Sequence, residues 1–276
     1  MNDQITLYPN CKINAGLDIL SRRDDGFHEI ETLMLPIYGI CDRLTIERDL
    51  TAESIRFDAT GIKVDCGKER NLVVRAWILM RERYGIGGVR IALHKEIPYG
   101  AGLGGGSADA AFTITGLNEL FELGLTTTEL ESVAAELGSD TSFFVSNRPA
   151  FCQGRGEILT PFDIDLKGLW AVVTKPQFEI STPEAYAQVT PHIPATPLRR
   201  RLSLPVEQWQ GVVTNDFEEP LLRSHLPLRN IKNGLLKQGA VYASLSGSGS
   251  ALFGLFDREP NYKPTLKGET FFEVKF

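Results

Sequence analysis

Between Pro98 and Ala111 the chain reads Pro98-Tyr99-Gly100-Ala101-Gly102-Leu103-Gly104-Gly105-Gly106-Ser107-Ala108-Asp109-Ala110-Ala111. Five of the seven residues from Gly100 to Gly106 are glycine. Without a Cβ, such a run admits positive φ angles and lets backbone approach a ligand closely. Successive N–H groups can then converge into an anion nest. Ala108, Ala111, Phe112, Leu117 and Leu120 recur at helical spacing, which predicts a helix starting at Ser107. Its free first-turn amides and positive dipole end add to the nest. A di- or triphosphate suits that chemistry. The Ser107 hydroxyl suits a phosphate oxygen or a magnesium ion.

Other uses of such a run fit less well. A Walker A loop ends in Gly-Lys-Ser or Gly-Lys-Thr, and no lysine occurs here. Gly100-x-Gly102-x-x-Gly105 matches the dinucleotide fingerprint, as almost any run this rich in glycine does. The acidic residues about twenty positions on, Glu119 and Glu122, fall in or just after the helix rather than at a strand end. A flexible linker would not open into an amphipathic helix.

Asp140 follows Gly138 and precedes the apolar pair Phe143-Phe144. A carboxylate there can accept a proton from an attacking hydroxyl. It can equally be the N-cap of the next helix, and the residues leave both open. Lys12 lies among Ile13, Ala15 and Leu17 and, taken alone, reads as an exposed strand lysine. His28 stands between Phe27 and Glu29, where a salt bridge to Glu29 is a sufficient account. His94, His192 and His225 belong to no constellation.

These groups need elements to position them. Short apolar or alternating stretches predict strands over 11–20, 43–48, 54–59 and 89–97, then over 151–159, 169–174, 242–245, 250–256 and 270–275. Helical spacing predicts helices over 71–84, from Thr126 to Gly138, and near 183–189, 206–222 and 228–238. Thr126 and Glu129 form a capping-box pair. The pattern is α+β without strict β-α-β alternation. It shows no repeat of fixed period, and a domain boundary is placed near residue 157.

Composition narrows the partners. The 276 residues are 42% hydrophobic and 23% charged, which supports a buried core. The net charge of −6 argues against nucleic acid as a partner. The densest basic run, Arg199-Arg200-Arg201 beside the proline-rich stretch 191–197, reads as a solvated charge run. No apolar stretch approaches the ~20 residues of a membrane span. Met1-Asn2-Asp3-Gln4 lacks the basic-then-apolar order of a secretion signal, so the expected compartment is the cytoplasm. Cys11, Cys41, Cys66 and Cys152 are scattered and make no C-x-x-C pair, which indicates neither a zinc site nor a disulfide framework.

Three segments together resemble the motifs of the GHMP kinases, small-molecule kinases of the galactose, homoserine, mevalonate and phosphomevalonate type. Cys11-Lys12-Ile13-Asn14-Ala15-Gly16-Leu17 resembles their first motif. The glycine run from Pro98 to Ala108 resembles the second, and 245–254 with Gly247, Ser248 and Gly249 resembles the third. Asp25-Gly26-Phe27-His28-Glu29-Ile30-Glu31-Thr32, Gly138-Ser139-Asp140-Thr141-Ser142-Phe143-Phe144, Ser181-Thr182-Pro183 with Tyr186, and Asn215-Asp216-Phe217-Glu218 are similar to segments of one branch. That branch acts on a cytidine-diphosphate-linked methylerythritol in the non-mevalonate route to isoprenoids.

The resemblance spans nearly the whole chain. It departs at Cys11 for Ala, Phe27 for Tyr and Thr141-Ser142 for Val-Pro, which touches fine substrate contacts more than the chemistry. It implies an ATP domain over 1–157 of the ribosomal-protein-S5-like kind and a ferredoxin-like substrate domain over 158–276, with substrate in the cleft between them. It implies ATP as co-substrate, with Mg2+, on residues 98–108, and support for that loop from Gly247, Ser248 and Gly249. Lys12 and Asp140 then form the catalytic pair. Asn14, Phe27, His28, Thr182 and Tyr186 bind the substrate, with His28 reading the base edge while Phe27 and Tyr186 stack on the base. A homoserine or mevalonate type of kinase and a non-catalytic ATP-binding module are the alternatives. Oligomeric state is not legible.

Overall fold

The computed structural model describes residues 3–63 and 67–276. Met1 and Asn2 of the opening segment, and Cys66, lie outside them.

In chain order the elements are β1 Gln4–Leu7, β2 Asn10–Arg22, β3 His28–Cys41, β4 Arg43–Asp49, β5 Ile55–Gly61, α1 Leu72–Tyr84, β6 Gly88–Lys95, α2 Gly105–Leu120, α3 Thr127–Ala135 and α4 Phe143–Ser146. There follow β7 Ala150–Gln153, β8 Ile158–Pro161, β9 Trp170–Lys175, α5 Thr182–Tyr186, α6 Leu198–Arg201, α7 Glu218–Ser224, α8 Leu226–Lys237, β10 Tyr242–Leu245, β11 Leu252–Phe256 and β12 Thr270–Lys275. The chain is α+β and divides into two compact units. One comprises Met1–Cys11, Ile40–Tyr99 and Gly104–Arg148; the other comprises Lys12–Gly39, Gly100–Leu103 and Pro149–Phe276.

The first unit is built on a sheet of order β1-β4-β6-β5, in which only the β5–β6 pair is parallel. Leu44, Ile46, Val89 and Ile91 of the sheet pack with Val73, Trp77 and Met80 of α1 and with Ile114 and Leu117 of α2. Local signals set the helix ends. The Asn71 side chain accepts the Val73 amide at 2.9 Å, and Gly85 closes α1 in the left-handed region. Thr126 and Glu129 form the expected capping box on α3.

The second unit holds two sheets, ordered β2-β3-β7-β8 and β10-β11-β9-β12. Counting β9 to β12 as strands one to four, the latter has the antiparallel 4-1-3-2 order of a ferredoxin-like sheet. Leu228, Ile231 and Leu235 of α8 pack on it with Val172, Leu245 and Leu252. The stretch between β11 and β12 carries no helix.

The units do not follow a linear cut at residue 157, because β3 pairs with β7 and draws 12–39 into the second unit. The stretch 151–159 is two strands, separated by a turn in which Gly154 and Gly156 take positive φ. The helix expected over 206–222 is a single 3-10 turn at Val206–Gln208 and then α7, with the chain reversing at Gly211, φ 81°. The Arg199-Arg200-Arg201 run is not uniformly solvated. Arg201 is buried against Asp18, and the Arg199 guanidinium lies over the Phe151 and Phe162 rings. The 14-residue β3 and the short β1 are elements the periodicity did not announce. No helix among the described residues is long and apolar enough to cross a membrane.

Candidate active site

β2 carries Lys12 and Asn14 with both of its faces covered, so both polar side chains are buried. Burial overturns the exposed-lysine account of Lys12, because a buried ammonium needs partners that replace water. Lys12 Nζ donates to Asn14 Oδ1 and to the Gly102 carbonyl, the latter at 2.9 Å, and its amide donates to Leu103 O at 3.0 Å. The Asn14 amide group donates to Thr32 Oγ1 at 3.1 Å, and Thr32 Oγ1 donates to Gly16 O at 2.6 Å. A buried polar chain thus fixes Lys12 from below and ties it to the glycine loop.

The same loop is held from the β10–β11 turn. Ser246 Oγ donates to Gly102 O at 2.9 Å, and the Ala251 amide donates to Ala101 O at 3.0 Å. Gly102 has φ 74°, and a Cβ there would stand 2.0 Å from Ser246 O. Asn215 Nδ2 holds the turn in its place through Leu245 O and Gly247 O, both at 2.9 Å. Gly247 and Gly249 also have positive φ. Ser248 Oγ lies 3.4 Å from Thr182 Oγ1. Gly100, Gly102 and Gly104 all take positive φ, while Ala101 and Leu103 between them are buried as anchors.

Gly104, φ 70°, N-caps α2, which starts at Gly105, two residues before the expected Ser107. The amides of Gly105, Gly106 and Ser107 therefore precede the first intrahelical bonds and stay available to an anion. Pro98 before the loop is buried and Tyr99 is exposed. A triphosphate fits such backbone.

Beneath α2 lies a charged cluster that sequence reasoning missed. Lys95 Nζ donates to Asp42 Oδ2 and, at 2.7 Å, to Asp109 Oδ2, with all three side chains buried. Burial pushes the Asp109 carboxyl above its ordinary range, against the pull of Lys95. The available signal was a charged residue on the inward face of an otherwise apolar helix.

Asp140 lies half-buried in the turn before α4, and the residue at the helix N-cap is Ser142, two positions on. The capping account of Asp140 fails on that geometry. Two hydroxyl-bearing substitutions in this segment are also placed: Ser142 Oγ donates to Glu131 O at 3.0 Å, and Thr141 is buried.

In the second unit, His28 and Tyr186 stack with centroids 4.4 Å apart and planes 18° apart. Tyr186 is braced edge-on by Phe217 at 4.8 Å. Ser181 Oγ caps α5 through the Glu184 amide at 3.3 Å and so orients Thr182 and Tyr186. Burial, followed by the nearby Arg22 charge, lowers the His28 pKa below its ordinary 6.5. Glu29 does not take up His28 as the simple salt-bridge account requires; it engages Arg23 Nη1 at 2.7 Å and the Gly154 amide at 3.0 Å. Phe27 is exposed, with the Arg155 guanidinium 4.8 Å over its ring.

Residues 71–154 match the family described as the GHMP kinases N terminal domain, and residues 205–263 match GHMP kinases C terminal. The 4-diphosphocytidyl-2-C-methyl-D-erythritol kinase of Parabacteroides distasonis is 43% identical over 256 residues, 93% of each chain. The chain belongs to that kinase family within the GHMP kinases. A crystal structure of 4-(cytidine 5'-diphospho)-2C-methyl-D-erythritol kinase superposes with a TM-score of 0.78 at 34% identity, covering 92% of this chain and 91% of that one. A homoserine kinase from Cytophaga hutchinsonii, at 16% identity and a TM-score of 0.74, covers 100% of this chain and 95% of its own and shares the fold alone. The family accounts for the stretch of motifs that runs from β2 to β11.

Proposed function

We propose that this kinase transfers the γ-phosphoryl group of ATP to the 2-hydroxyl of 4-diphosphocytidyl-2-C-methyl-D-erythritol. The observation that carries the proposal is the 43% identity with the Parabacteroides kinase across 93% of both chains. The geometry agrees with it in three places.

First, the glycine run supplies what phosphoryl transfer needs most, a fixed cradle for charge. Gly102 is held by Lys12 and Ser246, and α2 presents its free first-turn amides. We assign residues 98–108 to the nucleotide, with Gly247, Ser248 and Gly249 supporting the loop. The Ser107 hydroxyl would hold magnesium, which would supply neutralisation of phosphate charge.

Second, Lys12 is a buried cation pinned against loop backbone, which suits it to stabilise charge on the transferred group. Asp140, half-buried in the turn before α4, is the group we assign to the hydroxyl proton. Asn14 orients Lys12 through their hydrogen bond.

Third, the His28–Tyr186 stack offers an aromatic platform with a hydrogen-bonding edge, which suits a nucleobase better than an aliphatic acid. A lowered His28 pKa keeps that ring neutral at pH 7, with one nitrogen as donor and the other as acceptor. Phe27 and Thr182 complete the substrate assignment. The cytoplasm is the proposed compartment. The test is ADP release with ATP and magnesium against a panel of alcohols. Turnover with the cytidine-linked substrate and none with mevalonate or homoserine supports the proposal; preference for either of the others, or no ADP release with any alcohol, overturns it.

A further inference from the structure

Lys95 ends β6, three residues before the glycine loop begins at Pro98, and Asp109 lies one turn into the helix that follows it. Between them runs the whole nucleotide loop. Their side chains meet, Nζ to Oδ2 at 2.7 Å, with Lys95 4% and Asp109 3% exposed. Asp42, fully buried, closes the cluster. Its Oδ2 accepts from Lys95, and its Oδ1 accepts the Glu96 amide at 2.6 Å and the Ile97 amide at 2.9 Å. The two residues that lead out of β6 are therefore hydrogen-bonded to the same carboxylate that holds the lysine.

The helix side is fixed equally closely. A Cβ on Gly105 would stand 2.8 Å from the Ile97 side chain and 3.4 Å from Lys95 Nζ, so the first residue of α2 sits directly on this cluster. The Lys95 backbone is held too. Its carbonyl accepts the Ile62 amide at 2.9 Å, and a Cβ on Gly61 would reach within 2.2 Å of that oxygen. Asp109 Oδ1 is buried with no hydrogen-bond partner among the described residues. A carboxylate kept in that state costs free energy that an apolar residue would not. The neighbouring positions of the helix, Ala108, Ala110 and Ala111, are buried and apolar. Packing alone gives no reason for an acid here.

We propose that Lys95 and Asp109 are positioning residues for nucleotide phosphate: their ion pair, anchored by Asp42, ties the two ends of the glycine loop together and fixes the direction of the first-turn amides of α2. The proposal rests on the assignment of phosphate to that helix end. Small errors in such a cradle are costly because the amides act only when aimed at the phosphate oxygens. The pair touches no substrate and acts through the loop.

The test is a set of variants read by steady-state kinetics and thermal melting. Asp109→Leu removes the acceptor and should raise KM for ATP roughly tenfold or more, with KM for the alcohol substrate unchanged. Asp109→Asn keeps an oxygen for Lys95 Nζ and should restore KM for ATP to within about twofold of wild type. An unaltered KM for ATP in a folded Asp109→Leu protein overturns the proposal. So does an Asp109→Asn protein as impaired as Asp109→Leu, or an equal rise in both KM values. Where Asp109→Leu does not fold, Asp109→Ala takes its place under the same criteria, and failure of Asp109→Asn to bind ATP while melting normally overturns the proposal by itself. Gly104→Val separates this from the phosphate assignment. Near-normal ATP affinity in Gly104→Val removes that assignment, whereas lost affinity there with normal affinity in Asp109→Leu removes only the role of the pair.

Discussion

The Tyr186 ring lies nearly parallel on His28, 4.4 Å between centroids, and Phe217 meets Tyr186 at close to a right angle, 4.8 Å between centroids. The stack is therefore set in place by a further aromatic contact within the protein. Such a platform can offer an edge to a base without reorganising, and its loss should be felt by one substrate only.

His28→Ala should raise KM for the cytidine-linked substrate roughly 10- to 100-fold, the scale of about 1–3 kcal/mol for one base–aromatic contact. KM for ATP should stay within about twofold, because removal of uniform binding to one ligand leaves the other unaffected. Steady-state assays varying each substrate in turn check this. An unaltered KM for the cytidine-linked substrate would remove His28 from the site.

The pH dependence follows from the lowered His28 pKa. The ring is neutral in the folded protein at neutral pH, so KM for the cytidine-linked substrate should be flat from pH 8 down to its ordinary value of 6.5. It should rise only below that. In the unfolded chain the same histidine binds its proton first, so the His28 contribution to stability declines as pH falls below 6.5. A profile that rises between pH 7.5 and 6.5 and persists in His28→Gln would assign the titration to another group.

Gly102→Ala should weaken ATP binding at least roughly tenfold. A Cβ there meets Ser246 O at 2.0 Å in a backbone conformation with φ 74°, strain on the order of 1–3 kcal/mol that the loop relieves by moving. Calorimetric titration with ATP measures the effect. Affinity equal to wild type would mean that the clamp between Gly102 and Ser246 does not set the cradle.

Much of this arrangement was legible before the fold. The order of glycines and the capping box depend on neighbours in sequence, and both appear where expected. Partners supplied from far along the chain were not legible. Lys12 looks exposed until Gly102, ninety positions later, and Asn14 take up its ammonium. β3 begins with polar residues and then runs buried on both faces, so it has no period of two to detect. The helix expected over 206–222 failed at Gly211, where a positive φ turns the chain, and at Asn215, whose side chain is committed to the β10–β11 turn. Asp109 sits on a helical face that hydrophobic periodicity assigns to the core, and only Lys95 and Asp42 explain it.

Arg201 illustrates the same point in stability. Its guanidinium reaches Asp18 and also donates to Thr196 O at 3.0 Å and Val212 O at 3.2 Å. Arg201→Met should cost about 3–5 kcal/mol, because it strands a buried carboxylate. Arg223→Met, which breaks the exposed pair with Glu219, should cost less than about 1 kcal/mol. Urea unfolding of both variants makes the comparison, and equal midpoints would contradict it.

We propose phosphoryl transfer from ATP to one hydroxyl of the cytidine-linked alcohol, with catalytic roles for Lys12 and Asp140. The most direct measurement is product identification by mass spectrometry and phosphorus NMR, after incubation with ATP, magnesium and equal amounts of that alcohol, mevalonate and homoserine. The expected result is a single new phosphomonoester on the 2-oxygen of the cytidine-linked alcohol, formed roughly 10²-fold more slowly by Asp140→Asn. A phosphate on mevalonate or homoserine instead, or equal product from the Asp140→Asn protein, would contradict it.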